Sequence, residues 1–178
     1  MHIAGSRIFL RAVEQRDLPQ LHRWANDPVI WQQLGGWHFP YSETDQHHWF
    51  TSLSSHSPNQ RWCIDDLERG LIGTASLTEI NWKDRNAFVG LLIGQTELRG
   101  QGYGEETLRT LMRHAFDELG LHRLESTIIE YNAPSLKLFT DKCGWQVEGR
   151  QRQWYYRQGQ RWDRIWVGIT ADDYRQAG

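Results

Sequence analysis

The feature that most constrains this chain is the segment from residue 87 to 131, where a strand, a glycine-rich turn, a helix and a second strand follow one another without a linker. Residues 87–94, Ala-Phe-Val-Gly-Leu-Leu-Ile-Gly, are nearly continuous in apolar character, the pattern of a strand buried on both faces. Arg99-Gly100-Gln101-Gly102-Tyr103-Gly104 comes next. From there Leu108, Leu111, Met112, Ala115, Phe116 and Leu119 recur at i, i+3, i+4, i+7, i+8 and i+11, an amphipathic helix that Gly120 ends. Residues 124–131 return as a strand.

The flanking segments complete an α+β order with this single β-loop-α-β crossover. Residues 6–13 alternate as a first strand. Asp17 can cap a helix that carries Pro19 in its first turn and stops at Asn26-Asp27-Pro28. Residues 29–36 read as a short helix or turn ended by Gly35-Gly36. Ser42 and Asp45 have the spacing of a capping box, opening a helix through Leu53. Strands are expected at 61–65 and 71–77. Asn132 and Pro134 open a helix through Cys143, where Gly144 stops it, and residues 150–156 and 161–169 form a hairpin about Arg157-Gln158-Gly159-Gln160.

A chain of 178 residues suits one domain, 1–178, with a single core. Its apolar runs stay far short of a membrane span, and the N-terminus lacks the pattern of a secretory signal, so a soluble, cytoplasmic protein is expected. Two cysteines, Cys63 and Cys143, exclude a disulfide framework or multi-cysteine metal site and read as buried thiols; His47 and His48 are adjacent and point to different helix faces. No metal is expected. A net charge of −2 argues against bulk attraction to nucleic acid. The ten tryptophans read mostly as core or pocket wall.

A strand that feeds a glycine-rich turn and then a helix presents free backbone N–H groups and the positive end of the helix dipole, which together bind phosphate oxygens. The dinucleotide spacing G-x-G-x-x-G fails, because Glu105 stands where the third glycine is required. The P-loop fails as well, since no Gly-Lys-Ser/Thr follows.

Arg99, Gly102 and Gly104 do match R/Q-x-x-G-x-G/A, and the turn resembles the pyrophosphate-binding signature of the GNAT superfamily of N-acetyltransferases. With Ile8-Phe9-Leu10-Arg11, Trp24, Asn26-Asp27-Pro28, Asn132-Ala133-Pro134-Ser135 and Cys143-Gly144-Trp145, the resemblance extends over essentially the whole chain. It is closest to the RimJ/RimL and spermidine acetyltransferase branch. The resemblance implies a central, mostly antiparallel sheet splayed between its two middle strands and flanked by about four helices. It implies acetyl-CoA as cosubstrate, held by Leu92, Ile93 and Gly94 along the pantetheine and by Arg99, Gly100, Gln101, Gly102, Tyr103, Gly104 and Glu105 around the pyrophosphate. Asn132, Ser135 and Phe139 are expected nearby.

In this family an amine attacks the thioester directly, so the protein must accept a proton, stabilise an oxyanion and protonate the thiolate. A backbone N–H near Leu92–Ile93 is the expected oxyanion donor. Glu79 is the first candidate base, with Glu130 the alternative; each also reads as a surface carboxylate. The family's thiolate-protonating tyrosine falls at Phe139, which has no hydroxyl. Some members without it are thought to use a serine that matches Ser135, whose other reading is a helix-start residue, with Tyr131 or water as further options. The expected acceptor is a primary amine, either a small molecule such as a polyamine or a protein N-terminus, and a homodimer is left open. Phe139 favours a rival, a non-catalytic acyl-CoA-binding or sensing domain. The hairpin arginines Arg150, Arg152, Arg157, Arg161 and Arg164 suggest a weaker one, an RNA-binding surface.

Overall fold

The computed structural model describes residues 2–36 and 39–177. Its eight strands form one sheet in the order β1-β2-β3-β4-β5-β6-β8-β7. They are β1 (Ile3–Ala4), β2 (Ile8–Ala12), β3 (Gln60–Asp66), β4 (Gly70–Asn81), β5 (Asn86–Ile93), β6 (Arg123–Ile129), β7 (Gln146–Arg157) and β8 (Gln160–Thr170). Six helices flank it rather than four: α1 (Leu18–Ala25), α2 (Pro28–Trp31), α3 (Glu43–Thr51), α4 (Tyr103–Arg113), α5 (Ala133–Lys137) and α6 (Ala171–Ala177). The four-residue α2 occupies the segment read as helix or turn. β1 and α6 were not expected, each being too short to show a period.

α4 forms because its apolar stripe meets the sheet. Leu108, Leu111 and Ala115 have no exposed surface, and each buried leucine contributes about 1.5–3 kcal/mol. They join Val89, Leu124, Phe139, Trp145 and Val167 in the main core. The opposite face is covered by α1 to α3, where Leu21, Trp24, Ile30 and Cys63 pack with Trp49 and Leu92. Of the tryptophans, Trp24 and Trp145 are buried, Trp31, Trp49, Trp62, Trp162 and Trp166 half-buried, Trp82 and Trp154 exposed, and Trp37 lies outside the described residues.

The terminators act as the sequence predicts. Gly120 and Gly144 end their helices in the left-handed region, with φ of 65° and 75°. Ser42 accepts from the Asp45 N–H at 3.0 Å while Asp45 accepts from the Ser42 N–H at 3.2 Å, completing the capping box of α3. The β7–β8 hairpin turns on Gln158 and Gly159, both at positive φ, the conformation of a two-residue type I′ loop.

Asp17 departs from expectation: its carboxylate does not cap α1. It accepts two bonds from Arg11, at 2.7 and 2.9 Å, and one from the Glu14 N–H at 2.8 Å. Burial pushes this carboxyl up, but the Arg11 and Glu14 bonds outweigh burial and hold it below the usual carboxylate range. Arg11 and Asp17 are 7% and 4% exposed. Replacing Arg11 by methionine strands the carboxylate in the interior and should cost about 3–5 kcal/mol in urea unfolding at neutral pH. Because Asp17 is depressed on folding, its contribution is present above the unfolded carboxylate range and is lost as pH falls below about 4. The stability difference between wild type and the Arg11→Met variant should therefore narrow in acid.

Candidate active site

The sheet divides between β5 and β6. These strands pair in parallel only at Asn86–Arg123, Ala87–Leu124 and Phe88–Glu125. The Ser126 hydroxyl donates to the Val89 carbonyl at 2.8 Å, the last bridge before they separate. Burial follows the same division. Ala87 and Val89 are buried, whereas Leu91, Leu92 and Ile93 are half-exposed, so the strand is not covered on both faces as its apolar run suggested.

The direction of each backbone group along the gap follows from the ladder. The Gly94 N–H bonds the Ile72 carbonyl at 2.9 Å, so with a period of two Leu92, Gly90 and Phe88 also turn toward β4. Val89, Leu91 and Ile93 turn toward β6. Of the expected pair, Leu92 therefore turns its backbone groups to β4, while both groups of Leu91 and the N–H of Ile93 face the gap without a partner among the described residues. On the facing strand the Ala171 N–H bonds the His122 carbonyl at 2.8 Å, which commits alternate residues to β8 and leaves Thr127 and Ile129 facing the gap. Gly94 is explained by packing, because a Cβ there would lie 2.2 Å from the Trp24 indole.

The glycine-rich turn stands at the open end of this gap. Gly100 and Gly102 have φ of 78° and 88°, a region that favours glycine, and Gly102 is the N-cap of α4. The first helical bond runs from the Glu106 N–H to the Gly102 carbonyl at 3.0 Å. The N–H groups of Tyr103, Gly104 and Glu105 therefore precede the ladder, as an anion-binding helix start requires. Arg99 donates from Nε and Nη2 to the Ile93 carbonyl, both at 3.3 Å, tying the turn to the end of β5. The Tyr103 side chain is buried and donates to Asp66 at 3.1 Å, so only its backbone can meet a ligand. Glu105 pairs with Arg109.

Helix α5 closes the other side. A Cβ at Gly104 would lie 3.1 Å from Leu138, so the start of α4 touches the turn that continues α5. Ser135, one turn before Leu138, is half-buried, and its hydroxyl has no partner among the described residues. The Asn132 amide is engaged at both ends: its oxygen accepts from the Ser135 N–H at 3.2 Å and its nitrogen donates one bond to the Gln33 carbonyl at 3.1 Å. Phe139 is 3% exposed and packs edge-on to Trp145 with ring centroids 4.8 Å apart, which makes it a core residue rather than a ligand-facing one. Tyr131 donates to the Gln32 carbonyl, so its hydroxyl is occupied.

The candidate bases are not gathered at the gap. Glu79 is exposed in a left-handed bulge, φ 54°, two residues beyond Leu77, the partner of Val89. That places it about 7 Å along the strand on the closed side of the split. Both Glu130 oxygens are engaged, one by Arg150 at 3.1 Å and the other by the Asp163 N–H at 2.8 Å. Burial pushes the Cys143 thiol up to about 11, which leaves it without nucleophilic character at neutral pH. Among the described residues no group of histidine, cysteine and acidic side chains could hold a metal. A cavity of about 460 Å³ between Tyr41, Asp45, His48 and Trp49 contains none of the predicted site residues. On the hairpin, Arg164 lies 3.7 Å over the Trp154 ring and Arg150 pairs with Asp163 at 2.7 Å, so these cations are satisfied within the fold.

Local reading missed Arg7 and Glu106, which join the turn before β2 to the start of α4 across 99 residues. Nothing nearby in the sequence signals a contact of that range.

A sheet split between β5 and β6 offers an open strand edge to amides, and the α4 N-terminus at its open end offers free N–H groups to an anion. The chain belongs to the GNAT acetyltransferase family, whose domain model matches residues 7–146. Spermidine N(1)-acetyltransferase of Vibrio cholerae is 26% identical over 157 residues, 87% of this chain and 88% of that protein. The N-acetyltransferase YokL from the SPbeta prophage of Bacillus subtilis is 24% identical over 171 residues, 96% of this chain and 93% of that one. The crystal structure of the Vibrio cholerae spermidine acetyltransferase with CoA and spermine superposes with a TM-score of 0.86 at 25% identity, covering 96% of this chain and 99% of that one. The protein is an N-acetyltransferase that moves the acetyl group of acetyl-CoA to an amine. No described helix is long and apolar enough to cross a membrane.

Proposed function

We propose that acetyl-CoA lies in the gap between β5 and β6, and that its acceptor is a small aliphatic polyamine. The observation that carries the cofactor placement is the separation of the two strands beyond Phe88 with the α4 N-terminus at its open end. The pantetheine amides take the free groups of Leu91 and the N–H of Ile93, whose carbonyl is held by Arg99, and the pyrophosphate takes the N–H groups from Gly102 to Glu105. In the thioester adduct the oxyanion is stabilised by an N–H on the same edge of β5. Ser135, whose hydroxyl is uncommitted, protonates the leaving thiolate. Glu79 receives the ammonium proton through water, the separation along β4 being too long for direct transfer.

The polyamine reading is supported by the likeness to the spermidine enzyme and by the edge-on pair Tyr131 and Trp162, centroids 4.9 Å apart, beside the end of β6. Thiol release from acetyl-CoA with spermidine, an amino sugar and a peptide with a free N-terminus checks it. Spermidine should give the highest kcat/KM. A preference for the peptide would move the acceptor to protein N-termini, and no release with any amine, in a protein that binds acetyl-CoA, would leave a non-catalytic binding domain.

A further inference from the structure

Arg7 and Glu106 lie outside the sequence-derived site, yet they govern the geometry of its turn. Glu106 Oε1 accepts the N–H groups of Ser6, Arg7 and Ile8 at 2.8, 2.6 and 3.2 Å, and Oε2 accepts Arg7 Nε at 2.9 Å. Burial pushes this carboxyl up, but the bonds from Arg7 and its neighbours outweigh it and keep the group below the usual carboxylate range. Fixed in this way, the Arg7 guanidinium lies 4.5 Å over the Tyr103 ring and donates from Nη1 and Nη2 to the Gln101 carbonyl, each at 3.4 Å.

The Gln101–Gly102 peptide is trans, so its carbonyl and the Gly102 N–H point in opposite directions. Holding the carbonyl toward Arg7 therefore aims the Gly102 N–H away from Arg7. We propose that Arg7, itself oriented by Glu106, is a positioning residue for cofactor binding that sets the direction of the Gly102 N–H toward the pyrophosphate. The glycine turn is intrinsically permissive, and without such a tether its peptide can rotate. The side chain of Arg7 is 49% exposed, so its charge also favours an anion at the turn while its fork is committed to the backbone. This rests on residues 99–105 being the pyrophosphate seat.

The test compares acetyl-CoA with S-acetylpantetheine, which has the same thioester and amides but no pyrophosphate. Arg7→Met keeps the apolar stem and removes the donors. It should raise KM for acetyl-CoA ~10-fold, the effect of one lost charge-assisted bond, with kcat and the amine KM unchanged. Its kcat/KM for S-acetylpantetheine should equal that of wild type. Arg7→Lys, with charge but no fork, should fall between. A KM for acetyl-CoA within ~2-fold of wild type, or an equal loss with S-acetylpantetheine, overturns the proposal, the second outcome meaning that Arg7 only supports the fold. If Arg7→Met does not fold, Glu106→Gln, which keeps an acceptor for the N–H groups but loses the ionic partner, must show the same selective loss in smaller measure. Gly102→Val separates the two levels. If that variant folds and binds acetyl-CoA normally, the seat itself is misplaced; if it loses binding while the Arg7 variants do not, only the role of Arg7 fails.

Discussion

Replacing Gly102 by valine is expected to raise the dissociation constant for acetyl-CoA by ~100-fold or more, the equivalent of losing one or two hydrogen bonds to a charged group. The backbone at Gly102 has φ of 88°, where a β-branched residue is strongly disfavoured, so the turn must rebuild. A Cβ in the observed conformation would also stand 3.3 Å from Arg7 Nη2, obstructing the side chain that holds the Gln101 carbonyl. Thermal unfolding provides the measurement. At a ligand concentration of ~100 times the wild-type constant, mass action stabilises the protein by about 2.7 kcal/mol, a shift of roughly 5–10 °C for a chain of this size. The variant should show almost none. Its own Tm without ligand reports whether it is folded, and a full shift in a folded variant would remove the basis for placing the pyrophosphate at this turn.

Ser135→Ala is expected to lower kcat by ~10–100-fold while leaving the dissociation constant for acetyl-CoA within about twofold, the pattern of an interaction made mainly in the transition state. Asn132 fixes the start of α5 through the Ser135 N–H, a bond that alanine retains, so the helix should persist. The chemical origin of the loss can be checked with the leaving group. An acetyl thioester of a more acidic thiol needs less protonation as it departs, and the penalty of Ser135→Ala should shrink with it. A constant penalty would show that Ser135 positions the substrate rather than supplying a proton. Full kcat in Ser135→Ala would make the serine a helix-start residue. Water would then be the leading donor, since the Tyr131 hydroxyl is already given to the Gln32 carbonyl.

Much of this molecule was legible in its sequence because the signals are local. The stripe from Leu108 to Leu119 specifies a helix with one buried face. Gly120, Gly144 and the Gln158-Gly159 pair mark chain reversals through φ values that other residues resist. Gly100 and Gly102 mark the turn before α4 in the same way, at φ of 78° and 88°. Ser42 and Asp45 cap α3 through contacts within four residues.

What the tertiary structure decided concerns direction and distance. That Leu91 rather than Leu92 faces the gap depends on which residues of β5 bond to β4, a register set by long-range pairing and shifted by one residue at the cost of every assignment along the strand. That Phe139 belongs to the core follows from Trp145 lying against it, and that Asn132 donates to Gln33 follows from the fold of a loop 99 residues away. Asp17, read as a helix cap, became the partner of Arg11 because a buried guanidinium requires a carboxylate more strongly than a helix end does. The sequence determined the elements and the glycine-rich turn that opens α4, because backbone conformation and hydrophobic period are properties of adjacent residues. Only the tertiary structure decided which backbone groups face the split and which side chains remain free to act, because those depend on partners contributed by distant strands and loops.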